Sequence, residues 1–339
     1  MGRLQKLPIV LQYASLFAHL ATFGIIGVLI RYGLEELFGP MVVGMTQNTS
    51  ALFSSLPPNM VGCFFMGWVG IVWKKEITHF SEHLALGLST GLMGSITTFA
   101  SWNQELLNAI TAGYWVRGLC GFLIGMELAQ MSLQVGIDTA KGLQSAINSI
   151  QSSRVEKGLA RIPKPAAESL ERRQLSLFLF LVSSAVLWVL TSILVAKDAH
   201  SFNRRKLWLA CVLAPPGVWT RWFLSHYNGR GIGRKRWLKW LPIGTFATNI
   251  IASNIECLLS LINLKVHNYS SALTVGALQL GLLGCMSTVS TLVTEVCFLH
   301  QGENHWRAYM YTILTMFSAL ITGIILYSIC VWVDDYKVL

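Results

Sequence analysis

Charge is scarce in this sequence. Asp, Glu, Lys and Arg make up 12% of its 339 residues, where a soluble domain carries about a quarter. With 53% apolar residues and a mean hydropathy of +0.53, that scarcity points to a membrane protein. No Lys/Arg-rich stripe on a soluble face accompanies the net charge of +10, so no nucleic-acid partner is expected. The seven cysteines, Cys63, Cys120, Cys211, Cys257, Cys285, Cys297 and Cys330, lie in or beside apolar segments. None forms a CxxC pair, which favours small buried hydrophobes over a disulfide or metal framework. There is no P-loop, and no HExxH-like pairing of histidine and acid inside an apolar run. The eight histidines mostly fall near the ends of such runs. An enzyme and an organic cofactor are therefore not expected. No cleavable leader is evident, and the first apolar run is long enough to stay as an anchor.

Apolar runs, by contrast, are abundant. A membrane span needs ~20 mostly apolar residues, and nine such segments can be read, at about 16–38, 57–73, 83–108, 114–133, 175–196, 207–225, 241–262, 272–298 and 306–333. With the N-terminus inside, seventeen Lys and Arg fall in inner segments and seven in outer ones, Arg31 and Arg221 lying within spans. That asymmetry favours N-inside and C-outside, with the outer cluster Arg204, Arg205 and Lys206 as a counter-signal. Two Asn-X-Ser sequons, at Asn48 and Asn268, fall in expected outer loops; chance matches too near the bilayer to be glycosylated explain them equally well.

The stretch "GLMGSITTFASWNQE" at 91–105 recurs as "GLLGCMSTVSTLVTE" at 281–295. The same shift, from 91 to 281, also joins Gly27 to Gly217, Arg31 to Arg221, Asn59 to Asn249, Gly94 to Gly284, Thr98 to Thr288, Glu105 to Glu295 and Arg117 to Arg307, without a gap. Apolar composition alone does not supply matched Arg, Asn and Glu. The chain thus divides into a four-helix domain at 16–133, a basic linker with a linking span (134–206, the span at about 175–196), and a second four-helix domain at 207–333. One span between the copies turns the second upside down. The expected fold is an all-α membrane protein with an inverted repeat, whose sites lie near the bilayer midplane.

Inside the third span of each copy, Gly, Ser and Thr accumulate. Irregular backbone at membrane depth survives only when buried in protein or facing water. Gly94 and Gly284 permit a helix break, and Ser and Thr side chains can satisfy the freed peptide groups. Two breaks meeting on the axis would aim several carbonyls at one spot, a site for a small cation. Close helix packing through small residues is the plainer alternative. Asn59 and Asn249 offer amide N–H donors that can replace water around an anion. Arg31 and Arg221 add positive potential, or else snorkel. Phe99 and Trp102 share a helix face, and their ring edges are positive; simple packing is the alternative. Glu105 and Glu295 oppose an anion when charged, accept hydrogen bonds from neighbours, or gate.

The Arg on the first span, "NxxG" on the second and "GxxGxxTTFxxW" with a later Glu on the third together resemble the Fluc-type fluoride channels. The fused four-one-four form resembles their eukaryotic two-domain relatives, the fluoride exporters of the FEX family, over roughly residues 20–333. That resemblance implies two fluoride pathways around a central structural sodium ion. It assigns the sodium ligands to backbone carbonyls of Gly94, Thr97, Gly284 and Ser287. It assigns the pathways to Asn59, Asn249, Phe99 and Trp102; to these our reading of the residues adds Thr98, Thr288, Arg31, Arg221, Glu105, Glu295, Tyr311 and Thr315 as expected pathway residues. The copies differ where Phe99 and Trp102 meet Val289 and Leu292, where Gly62 meets Ala252, and in the hydroxyls of the last span, Tyr311 and Thr315 among them. Unequal pathways are expected. The resulting expectation is a passive fluoride channel in the plasma membrane, driven by voltage, monomeric, with fluoride and the lipid bilayer as its partners. The rival is a proton-coupled anion transporter using Glu105 and Glu295.

Overall fold

The computed structural model describes residues 9–47, 50–156, 170–198, 200–231, 238–266 and 268–334. Among these, long helices succeed one another in the order that the apolar runs imply: α1 Ile9–Phe38, α2 Leu56–Val72, α3 Glu82–Thr111, α4 Trp115–Glu156, α5 Leu170–Lys197, α6 Phe202–Ser225, α7 Ile243–Lys265, α8 Tyr269–Gln301 and α9 Trp306–Val333. The expected first domain ends at 133, yet α4 runs on to Glu156, because no proline interrupts the chain before Pro163. The sequon at Asn48 lies outside the described residues. Asn268 accepts a hydrogen bond from Ser270 N at 3.2 Å and so caps α8.

Seven of these helices are long and apolar enough to cross a membrane, and α2 with its continuation Lys74–Phe80, bent by 66°, makes an eighth. α6 falls short of that measure: it opens with Arg204, Arg205 and Lys206, carries Arg221, and contains Pro215 and Pro216. Nine crossings, as read from the sequence, therefore rest for α6 on its place in the repeat. α5 is the most peripheral helix: Phe178, Val182, Val186 and Val189 all face outward, as a spacer in lipid should.

Close backbone approach explains several glycines. Gly67 on α2 meets Ile137 N and Leu133 O of α4, where a Cβ would sit 2.7 Å from both. Within the first repeat, a Cβ on Gly27 of α1 would lie 3.0 Å from Leu92 O of α3; the second repeat brings Gly217 of α6 against Leu282 of α8 in the same way. Small residues let helices touch where lipid provides no hydrophobic drive for their association. α1 packs on α3, α6 on α8, and α1 against α6, so the first and third helices of both copies form the centre.

Candidate functional site

Both third helices break, but three residues beyond the glycines that were expected to permit it. α3 widens into π-helix over Gly87–Met93. Gly94 is still helical (φ −68°, ψ −22°), and the chain then extends at Thr97 (φ −85°, ψ 147°) and Thr98 (φ −140°, ψ 126°) before the helix resumes at Phe99. α8 repeats this, with π-helix over Leu278–Leu283, Ser287 extended (φ −79°, ψ 160°) and helix again from Ser290. Gly94 and Gly284 serve a different purpose. A Cβ on Gly94 would lie 2.6 Å from the guanidinium carbon of Arg221, and one on Gly284 would lie 2.6 Å from that of Arg31. The glycines make room for arginines.

Each arginine comes from the first helix of one copy and reaches the third helix of the other. Arg221 Nη1 donates to the carbonyl oxygens of Gly94 and Ser287, the latter at 3.1 Å; Nη2 donates to Thr90 O and to Ser95 Oγ at 3.3 Å. Arg31 Nη2 donates to the carbonyl oxygen of Leu280, which is the counterpart of Thr90 in the second copy. Both side chains are buried, at 1% and 4% exposure for Arg31 and Arg221. The two ion pairs among the described residues, Arg204–Asp198 and Lys265–Asp334, involve neither.

The breaks satisfy each other's peptide groups. Ser287 Oγ accepts from Phe99 N (3.2 Å) and Ala100 N (3.1 Å), at the start of the resumed half of α3. Thr97 Oγ1 accepts from Val289 N (3.3 Å) and Ser290 N (3.2 Å), at the start of the resumed half of α8. A helix N-terminus leaves orphan N–H groups that a side-chain oxygen can satisfy; here the oxygen is lent by the other repeat. Thr97 Oγ1 also lies 3.2 Å from Thr288 Oγ1, and Thr98 Oγ1 lies 3.3 Å from Ser287 Oγ. The reciprocity, in which residue i meets j and the equivalent of j meets the equivalent of i, is that of a two-fold interface.

Asn59 and Asn249 act on the same backbone. Asn59 Nδ2 donates to Thr98 O (3.2 Å) while its Oδ1 accepts from Thr98 N (2.8 Å). Asn249 holds Thr288 in the same way, at 3.0 and 2.8 Å. Each amide thus clamps the extended residue of its own break and keeps one Nδ2–H besides. The glutamates are held by donors. Glu105 accepts from the backbone and hydroxyls of Ser54 and Ser55. Glu295 accepts from Thr245 Oγ1 (2.7 Å), Asn228 Nδ2 (2.9 Å) and Tyr311 Oη (2.7 Å). Phe99 and Trp102 meet edge to face, with centroids 6.2 Å apart, and Trp102 stacks on Phe122 of α4. Phe99, Trp102, Val289, Leu292 and Tyr311 share one buried cluster, so residues of both copies mingle there. Thr315 Oγ1 bonds back to Tyr311 O at 2.8 Å.

Sequence reasoning missed a polar stripe. Ser253 and Glu256 follow Asn249 by four and seven positions on α7, which sets all three on one helix face. Both are buried, as is Asn103 of α3, and Ser253 Oγ, Glu256 Oε2 and both amide atoms of Asn103 have no protein partner. Buried polar atoms are normally paired, so such a set marks a place for water or an ion. Helical spacing from Asn249 was the signal that could have found it. The carbonyls assigned by resemblance to sodium fit less well, because those of Gly94 and Ser287 already accept from Arg221. The described residues hold no group of three or more His, Cys, Asp or Glu suited to a metal.

A family model described as "CrcB-like protein, Camphor Resistance (CrcB)" matches twice, over residues 18–137 and 208–327. The two matches are offset by the same shift that carries Gly91 onto Gly281. Among curated relatives, the chain is similar to the "Fluoride-specific ion channel FluC" of Shewanella denitrificans, at 31% identity over 117 residues, covering 33% of this chain and 86% of that one. It is similar to that of Sorangium cellulosum at 31% over 125 residues, covering 35% and 90%. For Dehalococcoides mccartyi the figures are 28% over 117 residues, 34% and 85%. No solved structure matches.

Proposed function

We propose that this chain, which belongs to the CrcB-like protein family and carries two copies of its domain, is a passive fluoride-selective channel of the plasma membrane and not an enzyme. Relatives of one-copy length are named fluoride-specific ion channels, and the chain's own centre supports the same chemistry. The observation that carries the reading is the pair of mutually capped breaks. They bring two helix N-termini, at Phe99 and Ser290, and two buried arginines together. Helix N-termini and guanidinium groups both favour an anion. Fluoride is strongly hydrated, so a selective path must replace its water with donors while excluding larger anions by width. The free Nδ2–H groups of Asn59 and Asn249 and the edges of Phe99 and Trp102 are the donors we assign, with the hydroxyls of Thr98 and Thr288 beside them; those of Tyr311 and Thr315 donate to Glu295 and to the Tyr311 carbonyl and line the path without donating to the anion. To that set we add the unpartnered Asn103 amide of α3 and Ser253 hydroxyl of α7, two helices that pack on each other. Because the copies differ at Val289 and Leu292, the two paths are unequal.

A membrane potential does ~2.3 kcal/mol of work per charge per 100 mV, and ~1.4 kcal/mol is a factor of ten. An interior-negative potential of ~100 mV therefore holds roughly a forty-fold outward fluoride gradient without ATP. The proton-coupled alternative asks Glu105 and Glu295 to exchange protons during transport. Each carboxylate instead accepts from several serine, threonine, tyrosine or amide donors, which suits an anchor better than a carrier.

The test is fluoride flux from proteoliposomes of the purified chain, read with a fluoride electrode. The channel reading expects flux that follows an imposed potassium–valinomycin potential, with chloride flux at the level of empty liposomes. Flux that follows a pH gradient at zero potential would establish the transporter instead.

A further inference from the structure

The cluster of carbonyl oxygens at the two breaks already has a cation. The Arg221 guanidinium donates to four acceptors on two helices: Thr90 O, Gly94 O, Ser95 Oγ and Ser287 O. Gly94, lacking a side chain, is what admits it. Gly94 O lies in the last helical turn before the break of α3, and Ser287 O at the extended residue that ends the corresponding turn of α8; carbonyls at such ends lack an onward helical partner and call for a positive one. Both oxygens, Gly94 O and Ser287 O, belong to the set that the family resemblance would give to sodium. An arginine stays charged in proteins and offers five donors in a planar fork. A sodium ion on the same oxygens would be a like charge within contact distance of that fork, in a poorly screened interior. Arg31, buried against Gly284, would add a third positive charge to a region where neither arginine has a carboxylate ion-pair partner among the described residues.

We propose that Arg221 is the chain's own central cation: its guanidinium takes the place of a sodium ion between the repeats, and the protein folds and transports without sodium. The claim does not depend on which anion crosses, so its first readout contains no fluoride. The thermal midpoint of the detergent-purified chain is measured in ~150 mM sodium, potassium or N-methylglucamine chloride, about physiological ionic strength. The wild type is expected to give the same midpoint in all three. Arg221→Ala, which frees the carbonyls of Gly94 and Ser287, is expected to gain a sodium-specific rise of about 3–5 °C. Arg31→Ala, which leaves the Arg221 fork in place, is expected not to gain it. A sodium-specific rise in the wild type overturns the proposal, as does a folded Arg221→Ala that ignores sodium; should neither variant fold, the wild-type comparison decides alone. In proteoliposomes, replacing all sodium with N-methylglucamine is expected to change wild-type fluoride efflux less than twofold. A tenfold loss restored by sodium contradicts the proposal, whereas absence of flux in either salt counts against the channel reading and leaves the thermal comparison to decide.

Discussion

Asn249→Asp is expected to lower fluoride efflux at least ~100-fold, although it exchanges one nitrogen for one oxygen. In the wild type, Oδ1 accepts from Thr288 N at 2.8 Å and Nδ2 donates to Thr288 O at 3.0 Å. The aspartate keeps the first bond and turns the second into two facing oxygens. A buried acceptor left without its donor costs about 1–3 kcal/mol, and more where a charge is involved. An increment of ~2.7 kcal/mol in a barrier is a hundredfold in rate. Thr288 cannot relieve the clash by moving, since its neighbours Val289 and Ser290 are capped by Thr97 of the other repeat. The substitution also places a negative charge beside the expected route of an anion. Asn59→Asp acts on Thr98 through the same pair of bonds and is expected to change flux in the same direction. The check is electrode-detected efflux from proteoliposomes of matched protein content, with monodispersity in detergent as the control for folding. Wild-type flux through both variants would remove the clamp from the account.

Gly281→Ala is expected to lower the thermal midpoint of the purified protein by roughly 6–12 °C, taking an overpacking cost of about 3 kcal/mol and ~2–4 °C per kcal/mol for a chain of this order. A methyl there would lie 2.8 Å from the carbonyl carbon and Cα of Ala210 on α6 and still closer to its oxygen. These are backbone atoms of a packed helix, so the strain is shed only by separating α6 from α8, and with it Arg221 from its carbonyls. Gly33→Ala on α1 is the internal control. Nothing lies within 4 Å of its added methyl, and alanine is the better helix former, so its midpoint is expected to hold or rise slightly. Gly91, the partner of Gly281 in the first copy, is less tightly confined: its added methyl meets the Phe23 side chain at 2.8 Å and Leu20 O at 3.5 Å. A smaller loss is expected there. Equal midpoints for the Gly281 and Gly33 variants would contradict the packing argument.

The repeat is legible in sequence because Arg, Asn and Glu are expensive inside apolar segments, so their recurrence at a fixed spacing stands out from the Leu, Ile and Val around them. The order of helices follows from apolar runs and their breakers. What the spacing does not reveal is which atoms of one copy meet which atoms of the other. Gly94 looks like a hinge in one dimension and turns out to be a seat for Arg221, because the guanidinium comes from the other copy. Asn59 looks like a pore donor, and two of its three hydrogen-bonding groups are taken by Thr98. The surroundings of the glutamates are partly encoded: Thr245, which bonds Glu295, is the shifted counterpart of Ser55, which bonds Glu105. Tyr311 has no such counterpart, since the first copy has Gly121 there, pressed against Phe53. The stripe of Ser253 and Glu256 was readable from helical spacing. Its importance comes only from burial without partners, which is a property of the packed molecule.

The claim beneath all of this is that the two repeats meet break to break, each lending a hydroxyl to the other's interrupted helix. Thr97 Oγ1 and Ser290 Oγ, far apart in the chain, lie 3.1 Å from each other. The most direct measurement is oxidative cross-linking of Thr97→Cys/Ser290→Cys in native membranes, read by mass spectrometry of the digested chain. A disulfide joining the peptide around 97 to the peptide around 290 is expected, absent from either single variant. Two free, separately alkylated thiols in a correctly inserted protein would contradict it.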